Sequence, residues 1–237
     1  RRLVAAGADA NGTDISGDTV LMAAVRSGTL DAVRALLDAG AQVNTAEPQV
    51  GHTALMWAVR EDRPELVSLL LSRGASVDAK TRTGTKPAVR PPGAGGGSHG
   101  VGIVRGGVPP QGEQPPAPGG MTALSFAARE GRLEAARLLL DAGADVNARE
   151  SNDISPLVMA ITNRHTQVAA VLLARGADPN AADWWGRTPL WSAVDMRNLD
   201  LDSRTLENGV ERAPVLELIE ALIAKGADVN ARVKEFP

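Results

Sequence analysis

Three histidines, His52, His99 and His165, are the side chains best suited to ligate a metal or carry a proton near neutral pH, and none has a partner at ligand spacing. No HExxH or GxSxG run occurs, and the chain has no cysteine to act as nucleophile or thiolate ligand. The run GAGGGSHG ending at Gly100 has the glycine density of a phosphate loop. No GK[ST] follows it, however, and no predicted helix begins there to present its amides. His99 and Arg105 stay as a candidate loop contact for an anion or a partner's carboxylate. No catalytic, cofactor-binding or metal-binding residue is assigned, and no cofactor is expected. The chemistry left is recognition. The chain holds four Trp, two Phe and no Tyr, and exposed Trp is enriched at binding hot spots.

What positions those rings is a repeat. Gly-Ala pairs occur at Gly7, Gly40, Gly74, Gly143, Gly176 and Gly226. A second mark, hydroxyl-x-Leu, keeps step at Thr19, Thr53, Thr122, Ser155 and Thr188. A period near 33 means stacked units, each too small to bury its apolar face alone. The unit Gly120–Ala148 is the cleanest. Thr122 is placed as a helix N-cap, Ala123 to Arg129 as a first helix, Gly131 as its break, and Leu133 to Ala142 as a second. Gly143 falls where a left-handed residue closes a helix, and Asp145-Val146-Asn147 leads into an extended finger. Pro156 and Pro189 each follow an N-cap, at a favoured first helical position.

This pattern resembles the ankyrin repeat: a 33-residue period, an opening like Thr188-Pro189-Leu190, and a close like Gly226-Ala227-Asp228-Val229-Asn230-Ala231. The resemblance implies an all-α solenoid of helix-turn-helix units with short β-hairpin fingers, whose fingers and inner helices line a concave binding face. The family's histidine after the opening leucine, which often ties neighbouring turns together, is replaced by Met22, Met56, Ser125, Val158 and Trp191. Apolar packing is expected there instead, at four of the five places.

The whole chain, 1–237, reads as one array. Residues 1–11 form a partial repeat, and 12–44, 45–78, 79–147, 148–180 and 181–230 are repeats, with 231–237 opening another. Both ends lack the polar face of a capping unit, so the array is expected to continue and the chain to be a fragment. Two insertions interrupt it, at 85–119 and 197–213. More than half of the stretch from Gly84 to Gly120 is Gly or Pro, a composition that cannot form a helix. Within it Val101, Ile103 and Val104 can form a short strand. The second insertion is expected as a polar loop, Asn198–Arg212, between the inner and outer helices of the last unit.

A net charge of −3 on a mixed surface argues against binding duplex nucleic acid. Lysine occurs only at 80, 86, 225 and 234, and this arginine bias suits a GC-rich bacterial genome. No apolar run approaches the ~20 residues needed to cross a bilayer, and no signal peptide is visible. Compartment is left open between cytoplasm and periplasm.

The partner-binding candidates are Trp57, Phe126, Met159, Trp184 and Trp185. The first three share one column of successive inner helices, where exposure to the groove and burial in the core are both open. Trp184 and Trp185 fill a finger tip and are expected to be exposed, while Trp191 is expected to be core. Arg26, Arg60, Glu61, Arg129, Glu130 and Arg164 flank the column and can tune selectivity. The expected function is noncatalytic binding of a protein partner across the concave face. Two alternatives are kept: a scaffold or spacer for another domain of a longer chain, and a ligand-binding or enzymatic role for the 85–119 loop.

Overall fold

The computed structural model describes residues 9–84, 117–202 and 213–233, and the side chains of 196–202 and 213 are not among those described. His99 and Arg105, the short strand expected at Val101–Val104, and most of the first insertion lie outside this range.

Ten helices in five antiparallel pairs make up the described residues. They are α1 Val20–Ser27 with α2 Leu30–Asp38, α3 Ala54–Arg60 with α4 Pro64–Ser72, and α5 Ala123–Glu130 with α6 Leu133–Asp141. Then follow α7 Pro156–Thr162 with α8 Thr166–Ala174, and α9 Pro189–Asp202 with α10 Ala213–Ala224. The first helix of each pair contacts the first helix of the next, and the second contacts the second. Every unit thus rests chiefly on its neighbours in sequence, as in a solenoid. The inner helices pack against one another more extensively than the outer ones do, and with the fingers they make up the side that the ankyrin resemblance makes the hollow flank.

The helices start where the sequence supplies a cap. Thr19, Thr53, Thr122 and Ser155 each accept from the backbone N–H three residues on. Thr188 does the same for Trp191 at 3.2 Å. These hydroxyls satisfy one of the orphan amides at each helix start. The leucine two residues later is buried in every unit: Leu21, Leu55, Leu124, Leu157 and Leu190. On the outer helices Val33 and Leu36, Val67 and Leu70, Ala136 and Leu139, and Ala169 and Leu172 face the same interior. One continuous core results.

Outer helices close at the Gly-Ala pair. Gly143 sits at φ 87°, and the next amide, Ala144 N–H, donates 2.9 Å back to Leu139 O. A Cβ on Gly143 would meet nothing within 4 Å, so the position selects glycine for its left-handed backbone and not for space. Gly131 differs. It breaks the helix pair at φ 72°, and a Cβ there would come within 2.5 Å of His165 Nδ1. His165 Nε2 in turn lies 3.1 Å from Arg129 O of the preceding unit.

Besides the shared core, neighbouring units are joined by asparagines on the finger approach. Asn44 Nδ2 donates to Gly74 O at 3.0 Å while its Oδ1 accepts from Ser76 N at 2.7 Å. Asn11, Asn147 and Asn180 repeat this double bond to the glycine and the residue two beyond it. At the equivalent place in the second unit stands Asp78, which accepts from Asp145 N at 3.0 Å but has no N–H to give Gly143 O. The expected histidine slot is otherwise occupied. Met22, Met56 and Val158 are buried core, while buried Ser125 completes a capping box with Thr122.

The fingers are minimal hairpins. Isolated bridges pair Thr13 with Thr19 and Ala46 with Thr53. The third finger closes through Thr81 N to Met121 O at 2.9 Å and Gly84 N to Pro118 O at 2.9 Å, so the Gly/Pro-rich insertion leaves and returns at that finger's tip. Fingers also bond sideways: Arg82 N to Val50 O, Ser151 N to Gly119 O and Trp184 N to Asn152 O.

The last unit corrects one expectation. Its inner helix does not stop near Asp195 but continues to Asp202, taking in part of the segment read as a polar loop. The physical reason is the missing stop. Gly28 and Gly131 close α1 and α5, and α3 and α7 are followed by the left-handed Asp62 and Arg164. The sequence Met196-Arg197-Asn198-Leu199 has no glycine and is rich in residues of good helix propensity.

Candidate protein-binding face

Three positions of each unit reach the hollow flank: the residue before the N-cap, the fourth after it and the seventh after it. In the first unit these are Asp18, Ala23 and Arg26, in the second His52, Trp57 and Arg60, and in the third Met121, Phe126 and Arg129. The fourth supplies Ile154, Met159 and Thr162, the fifth Arg187, Ser192 and Asp195. Arginine at the seventh position ends an inner helix, where its charge also suits the carbonyl end of the dipole.

Across the first three units these side chains form one stack. Arg26 lies 4.9 Å and Arg60 4.6 Å from the Trp57 ring centre. Arg60 also reaches Phe126 at 5.6 Å, and Arg129 covers Phe126 at 4.8 Å. The His52 ring is tilted against Trp57 at 5.2 Å and against Phe126 at 5.5 Å. Cation–π contact of this kind draws the guanidinium to the ring face.

Carboxylates frame the stack. Arg26 pairs with Asp18. Glu130 faces Arg129 at 2.9 Å, Arg60 at 3.7 Å and Arg132 at 3.9 Å. Glu47 is buried beneath the second finger and accepts from Gln49 N, Val50 N and His52 N. Burial pushes its carboxyl up, but those three amides and His52 outweigh it and hold it below the usual carboxylate range. Burial, and then the Arg60 cation, push the His52 imidazole below its ordinary value despite Glu47 at 3.3 Å.

The fifth finger is built the same way on a different acid. Buried Asp183 accepts from Trp185 N at 3.0 Å and Arg187 N at 2.9 Å, and pairs with the Arg187 guanidinium through Nε and Nη2 at 2.8 and 2.7 Å. Arg187 then lies 4.8 Å over Trp185 and 6.0 Å from Trp191. Trp184 meets Trp185 edge-on at 5.5 Å.

The candidate residues separate by depth. Trp57 is half-buried, and so are Trp184, Trp185 and Trp191. Phe126 and Met159 are only 3% and 7% exposed, so they form the floor of the flank and not projecting anchors. Phe126 is covered by His52 of the preceding finger and by two guanidiniums. The tryptophans of the fifth finger are less exposed than a free tip would be, because Arg187 and the neighbouring finger lie against them. Of the flanking charges, Glu61 and Arg164 are exposed and the others half-buried. Sequence reasoning missed the arginine–aromatic alternation and the Asp183–Arg187 fork. The seven-residue step from each N-cap to Arg26, Arg60 and Arg129 was the signal available for the first.

Among the described residues no group of histidines and carboxylates could hold a metal ion, and no helix is long and apolar enough to cross a membrane. Stacked helix pairs with hairpin fingers define a class of repeat solenoid. Family models agree: one for ankyrin repeats (3 copies) matches residues 1–81, and one for ankyrin repeats (many copies) matches 124–173. The chain belongs to the ankyrin-repeat family. Ankyrin repeats generally mediate protein–protein interaction.

Proposed function

We propose that this array binds a protein partner noncatalytically across its hollow flank, with Trp57, Trp184 and Trp185 in contact and Phe126 and Met159 supporting them from below. The reading rests on one observation. Every described Trp and Phe lies on an inner helix or a finger, and none lies on an outer helix. Half-exposed Trp and Arg gathered on one side of a rigid frame are the side-chain types that dominate binding energy. Because the frame is preformed, little ordering entropy is lost when a partner docks.

Panning a random-peptide display library on the protein tests this. Binders are expected to be lost on Trp57→Ala and on Trp184→Ala with Trp185→Ala, and kept when exposed Arg137 on the outer helix α6 is changed to Glu. Binders that depend on Arg137 and ignore the tryptophans would refute the reading.

A further inference from the structure

The first three units carry a local chemistry that the rest of the flank lacks. Arg26, Arg60 and Arg129 occupy the same repeat position on successive inner helices, with Trp57 and Phe126 between them. Each side chain keeps about a third of its surface open, at 36%, 30% and 39%. Arg60 is central. Its guanidinium carbon lies 4.6 Å and 5.6 Å from two ring centres, yet the guanidinium makes no hydrogen bond to any described residue, and Glu130 approaches Nε only to 3.7 Å. Glu130 is shared among Arg60, Arg129 and Arg132, of which Arg132 also pairs with Asp62 at 3.3 Å, so Arg60 is the cation least served by a carboxylate. The Trp57 Nε1–H beside it is buried and has no acceptor among the described residues.

We infer that this stretch of the flank receives a carboxylate-bearing peptide segment, with one carboxylate on the open edge of Arg60 and further acidic groups beside Arg26 and Arg129. The inference rests on the hollow flank being the partner-binding face. A guanidinium fork presents paired N–H donors that match a carboxylate bidentately, and its contacts with Trp57 and Phe126 restrain it. Arg26 keeps Asp18 to itself, Arg129 shares Glu130, and Glu61, Asp62 and Glu130 stand at the edge of the stack. Those acids repel a dense polyanion but leave room for a segment with spaced carboxylates. A peptide is therefore favoured over single-stranded nucleic acid.

The test uses two fluorescein-labelled random-sequence peptide pools of equal length. In one every second residue is glutamate, in the other glutamine. Fluorescence anisotropy at fixed salt is expected to show the glutamate pool binding roughly tenfold more tightly. Arg60→Gln should erase that difference while thermal melting stays cooperative, and Arg60→Lys should restore only part of it, since lysine lacks the fork. Equal binding of the two pools, binding of neither, or a glutamate preference that survives Arg60→Gln overturns the inference. So does equally tight, Arg60-dependent binding of single-stranded oligothymidylate, which would mark a general polyanion site. If both pools bind equally and both are lost on Trp57→Ala, the acidic preference fails while the groove reading stands. Binding indifferent to Trp57 and to Trp184 with Trp185 removes the groove reading itself.

Discussion

The first three units and the last two share a frame and differ on the hollow flank. In the first three, arginines alternate with rings along the stack axis, one arginine to each unit. In the fourth the same places hold Ile154, Met159 and Thr162, an uncharged stretch. In the fifth the arginine has moved from the helix end to the finger, where Arg187 is locked on Asp183 and lies over Trp185. Cation and ring are paired at both ends. At the first end the cations keep open edges, whereas at the last the guanidinium is consumed by an internal fork. The lesson is that an arginine on this flank is a binding group or a brace according to how fully an internal carboxylate takes up its guanidinium.

If the two regions differ only at the surface, their interiors should respond alike. Leu139 and Leu172 hold equivalent outer-helix positions and are both fully buried. Leu139→Ala and Leu172→Ala should each destabilise by about 2–5 kcal/mol through lost transfer energy and the cavity left behind. Denaturant titration of the two variants checks this. Costs that differ by more than about 2 kcal/mol would mean that the halves are packed differently as well.

The next largest effect is at the fifth finger. Trp184→Ala with Trp185→Ala should weaken binding of a selected partner by about 2 kcal/mol. Because both rings are half-buried, stability should also fall, by about 2 kcal/mol. Isothermal titration and thermal melting of the same variant separate the two losses. A stability loss with affinity unchanged would make the tryptophans braces, like Arg187.

Much of this frame can be read in the sequence because its marks are local. A hydroxyl before a helix, a leucine two residues on and a glycine at φ near 90° are each required by backbone geometry, so they recur in phase. Depth on the flank is not local. Phe126 follows its N-cap by the same interval as Trp57, yet Phe126 is buried and Trp57 half-buried, although His52 and guanidiniums from neighbouring units lie against both rings. A period gives the column but not what covers it. The extension of α9 to Asp202 was hidden for the opposite reason. Its polar residues look like a loop, and only the lack of a stop signal reveals that the helix continues.

A smaller effect tests the junction between the second and third units, where the Gly/Pro-rich insertion enters. The asparagine ladder loses one of its paired bonds there, because Asp78 accepts from Asp145 N and cannot donate. Asp78→Asn should supply the missing N–H to Gly143 O and stabilise the protein by about 1 kcal/mol. Asn147→Asp, which removes the 3.4 Å bond to Gly176 O, should destabilise by a similar amount. Thermal melting of both variants is the measurement. If Asp78→Asn leaves the melting temperature unchanged, the geometry at that rung does not admit the second bond.

The smallest effect concerns acid response, and it sets the two regions against each other. His52 is held below its ordinary value near 6.5, so above that value it is neutral in both folded and unfolded chains and carries no penalty. As pH falls through 6.5 the unfolded chain takes the proton first, and stability declines until folded His52 also protonates. Glu47, held below 4.5, extends the decline further into acid, because its contribution is full above that value and disappears as pH falls through its lowered folded value. Glu150 in the fourth finger acts in the other direction. Burial raises its carboxyl, so the folded state binds the proton where the unfolded chain has released it, and acidification toward 4.5 favours folding. Urea titrations across this range should therefore show a shallower acid loss in His52→Gln and a steeper one in Glu150→Gln than in the parent. The absolute stability of either variant matters less than its slope, since both substitutions also change packing. If His52→Gln keeps the parent's slope just below pH 6.5, the imidazole between Trp57 and Phe126 is not the group that titrates there.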